Sequence, residues 1–79
     1  MPRRRTTPPP WVLDRRRALG DRIAHLRRDS GLSQDRLADA VGVERRTIQR
    51  CERGERDPGY GELLLIAHAL DCEVRDLLP

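Results

Sequence analysis

A glycine at position 42, with a short run of helical periodicity on each side, narrows the possible folds of this chain more than any other residue. Glycine enters the left-handed backbone region without a Cβ penalty, so it can stop one helix and turn the chain sharply into the next. Upstream, Ser33 is a good N-cap, and Leu37, Ala38 and Val41 share one face of a helix of about two turns. Downstream, Ile48 and Cys51 lie three apart on one face of another short helix that Gly54 ends. Arg45, Arg46, Gln49, Arg50 and Arg53 cover the rest of that helix. The spacing of Gln34, Ala38, Gly42 and Ile48 sets out a polar helix start, a small residue where two helices approach, a turn and a core position. Two short helices joined in this way let the second project from the surface while the first braces it.

The flanking sequence supplies the rest of a helical core. Leu19, Ile23 and Leu26 form a stripe on a helix expected from about Val12 to Asp29, and Gly31 ends it. After the turn-forming stretch 55–61, Leu63, Leu64, Ile66, Ala67 and Leu70 describe a helix apolar on most of its circumference, the expected central core helix. Cys72 and Val74 lead into a last short helix ending at Leu77, Leu78 and Pro79. With one Trp, one Tyr and no Phe, the core must be built from Leu, Ile, Val and Ala, a palette that favours helices. The fold class is therefore all-α: a compact five-helix domain over residues 11–79. Residues 1–10, with Arg3, Arg4, Arg5 and four prolines, are expected to form a disordered basic, Pro-rich arm.

Charge is unevenly placed. All 16 basic residues are arginine, a side chain suited to bidentate recognition of phosphate and guanine. The first 31 residues hold nine Arg against three Asp, whereas residues 57–79 hold Arg75 against Asp57, Glu62, Asp71, Glu73 and Asp76. One end can face a polyanion; the other cannot easily. Cys51 and Cys72 have no CxxC partner and read as small buried hydrophobes, which suits a reducing, cytoplasmic setting. The longest apolar run, Leu63 to Ala67, is far too short to span a bilayer, so no membrane association is expected.

The segment LSQDRLADAVGVERRTIQRCERGERDP, followed by LLLIAHAL, resembles the family of lambda-type repressors, Cro and XRE-type helix-turn-helix regulators. The resemblance covers about Leu19 to Leu78. It implies a sequence-specific transcriptional regulator whose partner is double-stranded DNA, read in the major groove by the helix around Glu44 to Arg53. By this resemblance Arg45, Arg46, Gln49 and Arg50 meet base edges, while Gln34, Arg53 and Arg56 meet phosphates. It also implies a structural ion pair between Arg27 and Glu52. Glu44 departs from the family, which commonly has Ser or Thr at that helix start, and Leu65 stands where many relatives carry a charge.

One such module buries too little DNA-facing surface for high specificity, so a homodimer on an operator of two half-sites is expected. Leu65, Val74, Leu77 and Leu78 are the candidate contacts. The same fold also serves as a protein-interaction module, such as an antitoxin or bridging factor, and polymerase or a toxin is then the partner. No Ser, His and Asp set, no carboxylate pair and no phosphate loop rises above chance, so neither catalysis nor a cofactor is expected. His68 and Cys72 are four apart, but Asp71 and a helix end between them spoil a metal site.

Overall fold

A computed structural model describes residues 7–79. Of the expected arm 1–10, residues 1–6 with Arg3, Arg4 and Arg5 lie outside the described residues, and Pro10 belongs to the first helix instead. Five helices follow one another: α1 Pro10–Asp29, α2 Gln34–Val41, α3 Arg45–Glu52, α4 Tyr60–Ala69 and α5 Val74–Leu77. Helix α1 starts earlier than the expected Val12, because Pro10 sits at its first position. There the fixed φ of proline is already helical and its missing N–H goes unmissed.

The short helices end where their sequences say they must. Ser33 Oγ accepts from the amide of Arg36 at 3.0 Å and caps α2. Gly42, at φ 84°, donates its N–H to the carbonyl of Ala38 at 2.8 Å. That left-handed residue aims α3 away from the axis of α2. Gly54, at φ 73°, ends the next helical segment in the same way.

Ile23, Leu37, Ile48, Ile66 and Leu77, one from each helix, are the large side chains wholly removed from solvent. They meet in one cluster with Ala38, Val41, Ala67 and Leu70. Helix α3 packs on α1 and α2, while α4 packs on α2 and α5. Burying the Cys51 thiol in this interior raises its pKa, with the Glu62 carboxylate adding to the shift.

The structure revises three expectations. Helix α4 is not apolar core on most of its circumference: Ile66 and Ala67 face inward, but Leu64 and Leu65 are exposed. Only α2 and α5 flank α4 closely, so half of it has nothing to pack against. A lone Trp most commonly covers the open edge of a core, but Trp11 instead stands 67% exposed. Leu77 is not a surface contact residue but fully buried, because the short turn of α5 directs it into the common cluster.

Candidate DNA-binding surface

Helix α3 is sharply two-faced. Ile48 and Cys51 are buried, and Arg45, Arg46 and Arg50 are exposed on the other side, with Gln49 half-buried between the two. Its first turn carries no acidic residue, and Glu44, the N-cap, makes no side-chain cap bond. The Arg45 guanidinium lies 3.9 Å from the Asp35 carboxylate of α2, an exposed pair that water screens. Arg46 and Arg50, four residues apart, have no ionic partner among the described residues and stand one above the other on the outer face.

Behind this face, Arg27 and Glu52 form the expected ion pair. Arg27 Nε donates to Glu52 Oε2 at 2.6 Å, and Nη2 donates to Oε1 at 3.1 Å. Their side chains are only 10% and 6% exposed. The third guanidinium nitrogen, Nη1, donates to the carbonyl of Leu32 at 2.9 Å. One side chain thus joins α1, the α1–α2 turn and the end of α3.

Two positions were not foreseen in their actual roles. Gln34, the first residue of α2, gives its amide to Glu52 Oε1 at 3.0 Å and so joins the ion-pair cluster. Arg56 turns back onto its own domain and pairs with Glu62 of α4, which raises the pKa of its guanidinium further. Its Nε is buried without a partner. The i to i+6 separation of Arg56 and Glu62 spans a loop, so no helical spacing announces that pair.

The remaining expected phosphate residues converge. Gln34 and Arg53 line a single concavity together with Gln49, expected at base edges, and with Asp21, His25 and Arg28 of α1. Gln34 and Arg45 share a second, shallower one with Ser33 and Asp35. The pattern also missed Gly20, in the middle of α1, although an unexplained glycine inside a strong helical stripe was a usable signal. A Cβ there would meet the backbone carbonyls of Cys51 and Glu52, so only glycine lets α3 lie this close to α1.

Away from α3, Leu65 and Leu78 are exposed as a contact surface requires, at 47% and 54%, and Val74 is half-buried against the core. Tyr60 and Leu64, one turn apart on α4, add to the exposed apolar surface, although Leu64 was expected in the core. Among the described residues no helix is long and apolar enough to cross a membrane.

Two short helices set by a left-handed glycine, the second presenting arginines outward and held from behind by a buried ion pair, define a helix-turn-helix protein. The helix-turn-helix domain model matches residues 18–78. The chain is 34% identical over 58 residues to an uncharacterized HTH-type transcriptional regulator, y4dJ, of Sinorhizobium fredii, covering 73% of this chain and 75% of that one. It is 33% identical over 66 residues to the control protein C.SmaI of Serratia marcescens, covering 84% and 79%. The crystal structure of the restriction-modification controller protein C.AhdI of Aeromonas hydrophila superposes with a TM-score of 0.77 at 39% identity, covering 78% of this chain and 94% of that one. The chain belongs to the helix-turn-helix domain family, in its Cro and XRE-type branch, and is a DNA-binding regulator of transcription.

Proposed function

We propose that α3 enters the major groove of a specific double-stranded operator, with Arg45, Arg46, Gln49 and Arg50 at base edges. The observation that carries this reading is the division of α3 into a buried Ile48 and Cys51 face and an outward arginine face. Arginine offers paired donors to guanine N7 and O6, the commonest specific contact in that groove. Gln34 and Arg53 meet backbone phosphates and fix the register of the protein on the duplex. Arg56, its charge offset by Glu62, holds the loop after α3 to α4.

The protein acts by binding alone, in the cytoplasm, without catalysis or a cofactor. The likeness to a restriction-modification controller protein supports control of transcription by occupancy of a site, through exclusion or contact with polymerase. Residues 11–79 carry the binding, as a homodimer on two half-sites, with Leu65, Val74 and Leu78 at the contact and Tyr60 and Leu64 beside Val74. The experiment is selection of binding sites from random duplexes, followed by gel shifts. An enriched motif with a G in each half-site supports the reading; recovery of no motif, with equal retention of all duplexes, overturns it.

A further inference from the structure

The ion pair behind α3 has more hydrogen bonds than a tie between two helices requires. Glu52 is nearly inaccessible, yet its Oε1 accepts from two side chains: Arg27 Nη2 at 3.1 Å and Gln34 Nε2 at 3.0 Å. Oε2 is occupied by Arg27 Nε at 2.6 Å. A carboxylate engaged bidentately by a guanidinium offers only acceptors, so the Gln34 amide must turn its nitrogen, not its oxygen, toward Glu52. The usual ambiguity of an amide is removed. Of the two protons on Nε2, one is taken by Glu52 and the other is left over. Gln34 is half-buried at the first position of α2 and lines the concavity it shares with Gln49 and Arg53. A free amide on a surface glutamine samples many rotamers, whereas this one is held in a single orientation.

We propose that Glu52, besides closing the α1–α3 ion pair, is a positioning residue for DNA: it takes one Gln34 amide proton and so holds the other outward for a backbone phosphodiester oxygen. The inference rests on the reading above that Gln34 faces the DNA backbone. Arg27 completes the device. Its guanidinium neutralises the carboxylate, so that a negative charge stands behind the amide without repelling the phosphate in front of it. Preorganisation of this kind moves the cost of ordering the contact from binding to folding.

The test is a double-mutant cycle on operator affinity, with Gln34→Ala, Glu52→Gln and the double variant, measured well below their melting temperatures and across a salt series. Gln34→Ala is expected to weaken binding roughly tenfold, as loss of one well-placed hydrogen bond does. Glu52→Gln should weaken it comparably, and the double variant should be no weaker than Gln34→Ala alone. If the two losses multiply, Glu52 acts through the fold only and the inference is overturned. If Gln34→Ala binds as well as wild type while Arg50→Ala does not, the inference fails and the DNA-reading helix stands. If wild type binds no duplex, both fall. Because Glu52→Gln can lower stability, the intact protein supplies a second readout. In labelled wild type, one Gln34 side-chain proton should exchange slowly, and the other should shift on addition of operator. Fast exchange of both, or no response to DNA while the α3 arginines respond, also overturns the proposal.

Discussion

Gly20 of α1 lies against the backbone of Glu52 so closely that a Cβ on the glycine would stand 2.6 Å from the Glu52 carbonyl oxygen. Two neighbouring carbonyl groups lie in the way, and neither belongs to a flexible side chain. Gly20→Ala gains about 1 kcal/mol of helix propensity, but it forces α1 and α3 apart. Overpacking at a tight contact costs roughly 1 to 3 kcal/mol, and backbone cannot yield as a side-chain tip does. The expected outcome is net destabilisation by urea titration, with operator affinity also reduced because α3 is displaced. An unchanged or raised midpoint shows that the crossing has slack.

Truncating either partner of the Arg27 and Glu52 pair leaves a charge stranded in the interior. Arg27→Ala and Glu52→Ala should each lower stability by roughly 3 to 5 kcal/mol, a large part of what so small a domain possesses. Arg27→Met with Glu52→Leu should be milder than either single change, since no uncompensated charge remains. Thermal melts of all three decide it; single variants melting with wild type sink the assignment.

The arginines of α3 and the residue that follows it should separate by what they do to sequence preference. Arg50→Ala should cost roughly 1 to 3 kcal/mol and relax the preference at one base pair. Arg53→Ala should weaken all duplexes alike and lower the salt slope by about one unit. Titrations against the operator and its single-base variants measure both. Uniform weakening by Arg46→Ala and Arg50→Ala, with preference intact, means these side chains supply charge alone.

Exposed and buried leucines near the C-terminus should likewise behave differently. Leu77→Ala empties a site in the common core and should cost roughly 2 to 5 kcal/mol of stability. Leu65→Glu, on open surface, should leave the melt nearly unchanged but weaken self-association and occupancy of a two-half-site operator. Sedimentation of Leu65→Glu indistinguishable from wild type, free and on DNA, removes Leu65 from the contact.

What was legible in the sequence was whatever a residue announces through its own backbone or its own helix. Ser33, Gly42 and Gly54 cap or stop helices by local rules, and Ile48 with Cys51 marks a buried face by spacing alone. The Arg27 and Glu52 pair, 25 residues apart, came only through family resemblance. The unread parts are long-range. Gly20 has a reason only once α3 is laid across it, and Gln34 meets Glu52 only after α2 and α3 have docked. Leu77, offered as a surface contact, lies in the core, while Trp11 stands in solvent. Apolar character says that a residue prefers burial, but the local packing decides whether a neighbour is there to provide it.

Gly42 and Gly54 also set how much DNA one copy can read. Between them lies a helix of eight residues, about 12 Å long at 1.5 Å per residue. Base pairs are stacked about 3.4 Å apart, so the outward face of α3 spans roughly four of them. A four-letter word recurs by chance about once in 256 positions, against the 10⁶ or more competing sites of a genome. Neither boundary can move outward cheaply: Gly42 and Gly54 are both left-handed, and Gly54 is pressed against Arg17 of α1. A new preference can therefore arise by exchanging letters on α3, but a longer word requires a second reader.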